Sequence, residues 1–117
     1  MPLNNRDAAY LWDMLQAAKE VNEMMAEHDL AGFLDHRMLQ RAVERLVEMI
    51  GESARHVSAT ARTELAEIPW RKIIGQRNIP AHKYGQIDHE LLYKTVVDDI
   101  PELIRCLGKA LPPIENT

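Results

Sequence analysis

Residues 77 to 84 read Arg-Asn-Ile-Pro-Ala-His-Lys-Tyr, which sets a guanidinium, an amide, an imidazole and a phenol within about two helical turns of chain. No other stretch has that density. A fixed cation, Arg77, beside an imidazole that titrates near neutrality, His82, is a minimal kit for cleaving a phosphodiester without a metal. The neighbourhood favours an anionic ligand as well. Between Glu67 and Asp88 there is no acidic residue, while Arg71, Lys72, Arg77 and Lys83 supply four positive charges on a chain of net charge -4. A cationic island on an acidic protein points to a defined phosphate-bearing ligand held at one place, where a uniformly basic surface would point to nonspecific nucleic-acid binding.

Each of these residues also has a plainer role open to it. Arg and Lys are favoured near a helix C-terminus by the dipole, and Arg77 suits an ion pair with Glu48 or Glu52. His82 could bond a helix-end carbonyl, and Tyr84 could be a core residue with a satisfied hydroxyl. Only their co-occurrence favours chemistry. The remaining histidines, His28, His36, His56 and His89, lack the Cys and His spacing of a zinc site, so no metal is expected. Met24 and Met25 suit flexible core filling or an interface, and Tyr10 and Trp12 suit either core or dimer surface.

A chain of 117 residues with 46% hydrophobic content has room for one globular domain, expected over residues 1–111, with a fraying tail at 112–117. The lone Cys106 cannot form an internal disulfide and suits a reducing cytoplasm. No segment approaches the roughly 20 apolar residues of a membrane span, and the N-terminus lacks a signal-peptide core. A cytoplasmic protein with no membrane partner is expected.

The elements that must position the octapeptide follow from the apolar spacing. Leu11, Met14, Leu15, Ala18, Val21 and Met25 predict a first helix over about residues 6 to 28, capped by Asn5. A loop containing Gly32 follows. Asp35 then caps a second helix that runs to about Arg62, with Leu34 stapled onto Leu39 and with Leu39, Ala42, Val43, Leu46, Met49, Ile50, Ser53 and Val57 on its inward stripe. Pro69 suits the first turn of a third helix, whose inward positions are Trp70, Ile73, Ile74 and then Arg77. Pro80 should kink or end it, leaving His82 at or just past its terminus, facing the same cleft. Tyr84 to Ile87 forms a turn, and Asp88 caps a last helix striped by Leu92, Val96, Ile100, Leu103 and Leu107, which keeps its period through Pro101 and so reads as one kinked helix. With no strand pattern or repeat, the fold expected is an all-α antiparallel four-helix bundle.

Arg77, four residues, His82, one residue and Tyr84, on the third helix of a small bundle, resembles the HepT-like toxins of the HEPN superfamily. Pro69-Trp70 before it, Tyr84-Gly85 and Ile87-Asp88-His89 after it, and Asp99-Ile100-Pro101-Glu102-Leu103 near the end extend the likeness over most of the chain. The resemblance implies a homodimeric, metal-independent ribonuclease with no cofactor, in which Arg77 and His82 of both protomers share one cleft. Asn78 would support them and Tyr84 would donate from its phenol, while Arg71, Lys72 and Lys83 would hold phosphate or RNA. It also implies an antitoxin partner, an MNT-type nucleotidyltransferase that attaches AMP to Tyr84.

Such a site would cleave RNA by attack of its own 2'-hydroxyl, giving a 2',3'-cyclic phosphate and a 5'-hydroxyl. Two other functions compete. One is a noncatalytic subunit supplying a nucleotide or substrate site to a two-component nucleotidyltransferase; the other is a helical adaptor that only dimerises.

Overall fold

The computed structural model describes residues 4–76 and 87–111. Among them it is all-α, with no strand element and six helices: α1 (Asn5–Met25), α2 (Leu30–Leu34), α3 (Arg37–His56), α4 (Ala59–Glu64), α5 (Trp70–Gln76) and α6 (His89–Ala110). No described helix is long and apolar enough to cross a membrane. The three long helices carry the core, since Leu11, Met14, Ala18 and Val21 of α1, Val43, Val47 and Ile50 of α3, and Leu92, Val96 and Leu107 of α6 are all buried. Burying apolar stripes on three such helices supplies most of the drive to fold, at roughly 25 cal/mol per Å² removed from water.

Helix α1 ends earlier than its pattern suggested and is capped one residue sooner. Asn4, not Asn5, takes the cap, its side chain accepting from the Asp7 amide at 2.7 Å. The expected loop around Gly32 is instead the short helix α2. Asp29 caps it through the Gly32 amide at 2.8 Å, and its Phe33 is fully buried against His89 and Tyr93 of α6. The cap of α3 is His36, whose Nδ1 accepts from the Leu39 amide, so the predicted Asp35 cap is displaced by one residue and Leu34 remains exposed.

The single helix expected to reach Arg62 is broken at Val57–Ser58, between α3 and α4. The cause is tertiary. The Asp7 carboxylate, from the start of α1, accepts from both the amide and the hydroxyl of Ser58, at 2.8 and 2.7 Å. That draws Ser58 out of the helix, where its hydroxyl caps α4 through the Ala61 amide. The carbonyls left open at the end of α3 are satisfied by Arg62, which donates to Ala54, Arg55 and Val57. Joining the start of α1 to the end of α3 also makes those two helices antiparallel, and Tyr10 stacks on His56 along the same seam.

On α3, Val47 and Ala54 belong to the core in addition to the predicted stripe, whereas Met49 is exposed. Met25 is buried and Met24 is not, while Tyr10 and Trp12 are partly buried against the core. Helix α6 follows its prediction closely. Asp88 caps it by accepting from the Leu91 amide at 3.0 Å, its five stripe residues are all buried, and it continues through Pro101 as one helix.

Candidate active site

Two of the predicted site residues, Arg71 and Lys72, lie on α5 within the described part of the molecule. The others, Arg77, Asn78, His82, Lys83 and Tyr84, lie outside the described residues, as do Pro80 and the predicted Tyr84–Gln86 turn. What the geometry gives is the frame on either side of that segment.

On the side of entry, α5 is a short helix packed on α3. Ile73 is buried, Trp70 and Ile74 rest on the core, and the Trp70 indole donates to the Leu65 carbonyl at 3.0 Å. Both basic side chains of α5 are exposed. Lys72 reaches α6, where its Nζ lies 3.0 and 3.1 Å from the two Asp99 oxygens. Below this contact Val47, Ile50, Ile73, Val96, Ile100 and Leu103 surround a cavity of about 60 Å³ where α3, α5 and α6 meet. The expected ion pair of Arg77 with Glu48 or Glu52 falls outside the described residues on the Arg77 side, and Glu48 pairs with Arg45 at 3.6 Å.

On the side of exit the frame is more tightly tied. Ile87 rests on the core and Asp88 caps α6. His89, its first residue, places Nε2 at 2.5 Å from Glu44 of α3. Glu44 is one of two buried acidic residues among those described, and its second oxygen faces the Arg41 guanidinium at 3.4 Å. A buried carboxylate is costly without partners, and here each oxygen has one. Sequence spacing singled out neither partner. Glu44 stands next to Val43 but off the inward stripe expected for this helix, so its cross-helix contact was not legible from the spacing.

The remaining histidines have local roles. His36 caps α3 and meets the His28 ring edge-on at 5.5 Å, and His56 stacks on Tyr10 at 5.1 Å. Among the described residues one cluster has the donors for a metal, Glu67, Glu102 and Cys106. Arg105 already supplies the cation there, bonded to Glu102 and lying 2.7 Å from Glu67, with Lys109 at 3.6 Å from Glu67. The guanidinium holds both carboxyls below the usual carboxylate range, and burial pushes the Cys106 thiol up.

Comparison with known proteins gives this frame its context. The family model described as "Ribonuclease HepT-like" matches residues 14–110, a span that includes the octapeptide. The chain is 37% identical over 102 residues to "Putative RNase MJ1380" of Methanocaldococcus jannaschii, covering 86% of this chain and 94% of that one. It is 35% identical over 94 residues to "Probable ribonuclease HepT" of Thermococcus cleftensis, covering 80% and 86%. To "Putative RNase TTE0752" of Caldanaerobacter subterraneus it is 29% identical over 94 residues, covering 80% and 84%. No solved structure gives a significant match.

Proposed function

This chain belongs to the HepT-like ribonuclease family, and on that premise we propose that it is a metal-independent RNA-cleaving toxin of the cytoplasm, acting as a homodimer. The observation that carries the reading is that the family match runs through residues 77–84, where the chain sets Arg77, Asn78, His82 and Tyr84 in an acid-free stretch of 20 residues. The frame supports it. One packed helix leads into the segment, and a capped and clamped helix start leads out of it.

The chemistry follows from the side chains. One His82 takes the proton of the ribose 2'-hydroxyl, whose oxygen attacks the adjacent phosphorus. The bond from phosphorus to the 5'-oxygen breaks, and the His82 of the second protomer gives that oxygen a proton. One imidazole cannot hold and release a proton in the same step, which is why the site needs two copies. The paired Arg77 guanidinium groups take the charge that builds on the pentavalent phosphate, where bidentate hydrogen bonds are strongest. Asn78 orients Arg77, and Tyr84 donates from its phenol. Arg71, Lys72 and Lys83 bind the RNA backbone. A nucleotidyltransferase antitoxin neutralises the site by transferring AMP from ATP to the Tyr84 oxygen, with pyrophosphate leaving and the phenol proton lost to solvent, which adds a bulky anion and removes a donor.

End-group analysis of RNA cut in the presence of a chelator tests this function. A 2',3'-cyclic phosphate and a 5'-hydroxyl are expected. Ends bearing 3'-hydroxyl and 5'-phosphate would overturn it, since they require an activated water.

A further inference from the structure

An open cleft of about 560 Å³ lies between the start of α3 and the start of α6, lined by Leu34, Asp35, Arg37, Gln40, Arg41, Ile87 and His89. Its chemistry is of two kinds. Arg37 and Arg41 stand four residues apart on α3, so their stems share one face of the helix, about 6 Å apart at Cβ. Leu34, exposed, and Ile87 supply apolar surface beside them.

The charges here are not evenly matched. Arg37 is exposed and has no ion-pair partner among the described residues, and the first turn of α3 carries no acidic residue. Arg41 faces one Glu44 oxygen at 3.4 Å, but Glu44 is buried behind the wall and its other oxygen is held by His89. Asp35 is the one carboxylate among the described residues that line the cleft, against two guanidinium groups. Gln40 is spent on structure, donating to the carbonyls of Phe33 and Leu34 and so fixing α2 against α3. The cleft therefore has set walls and a surplus of positive charge on a chain of net charge -4.

We propose that this cleft is a subsite for single-stranded RNA, with Arg37 and Arg41 on backbone phosphates and a base lying over Leu34 and Ile87. Guanidinium groups bind phosphate by planar, paired donors, and the flat face of a base covers apolar surface without reading sequence. Ile87 and His89 stand within a few residues of the octapeptide in the sequence, so the cleft is lined by the part of the chain that follows the residues proposed to cleave. The proposal rests on the ribonuclease reading and adds to it a binding surface separate from the residues that do the chemistry.

The test uses the full chain carrying His82→Ala, so that RNA stays intact, and follows fluorescence anisotropy of a labelled single-stranded RNA over a range of salt. Arg37→Gln should weaken binding about fivefold to tenfold, and Arg37→Gln with Arg41→Gln should lower the salt slope by about 1.4, at roughly 0.7 for each phosphate no longer neutralised. Lys19→Gln, which removes an exposed charge from α1, should change neither. The single Arg37 variant keeps the test decisive if loss of Arg41 unsettles Glu44. Parental affinity and slope in the arginine variants, or an equal loss in Lys19→Gln, would overturn the subsite while cleavage by the unmutated chain keeps the ribonuclease reading. RNA that is neither bound nor cut by the unmutated chain would remove both.

Discussion

Glu44 and His89 join α3 to the first residue of α6 through a contact of 2.5 Å between a buried carboxylate and an imidazole Nε2. The pair ties the start of α6 to α3, a few residues after the octapeptide in the chain. His89→Ala strips Glu44 of its nearest partner and should cost about 2 to 3 kcal/mol, the usual range for a hydrogen bond to a buried charge. Replacing both, as Glu44→Leu with His89→Leu, should cost less than His89→Ala alone, because no unpaired buried charge remains. Urea denaturation of the three proteins decides this, and equal stability of His89→Ala and the parent would show that the contact contributes nothing.

Asp7 gives the fold a dependence on acid. Hydrogen bonds from the Ser58 hydroxyl and amide favour its ionised form and hold its carboxyl below the usual value. A depressed folded pKa contributes stability that is complete above the unfolded value of about 3.9 and is lost as pH falls through the folded one. Asp7→Asn should therefore be less stable than the parent by about 2 kcal/mol at pH 7, and the gap should narrow below pH 4. A gap that stays constant from pH 7 down to pH 2.5 would contradict the assignment.

Cys106 should be chemically silent in the folded protein. It is buried, and burial raises its pKa, so little thiolate is present at neutral pH. Alkylation should proceed only as fast as the protein opens, and urea above the unfolding midpoint should release the chain's one thiol at once. Rapid modification without denaturant would show that α6 opens near its end far more readily than its packing indicates.

The sequence carried the long helices well and the interruptions poorly. The stripe of α6 and its Asp88 cap were legible because both are local, set by residues within one turn of each other. The break at Ser58 was not, because its causes are Asp7, 51 residues away, and Arg62, whose guanidinium closes the end of α3. Helix α2 was hidden for a related reason. Gly32 reads as a loop residue, yet Asp29 caps that turn and burial of Phe33 holds it in place. At the site, the octapeptide stood out by residue type alone, whereas Glu44 needed a partner on another helix before it acquired a meaning.

The central claim is that His82 performs proton transfer in RNA cleavage. Its most direct test is the single-turnover cleavage rate of the unmutated chain and of His82→Ala in the presence of a chelator, with circular dichroism establishing that both are folded. The rate should fall by about 10² to 10⁴ in the variant, the range that one general acid-base group contributes. Equal rates in the two proteins would remove His82 from the mechanism and with it the assignment of residues 77–84 as the active site.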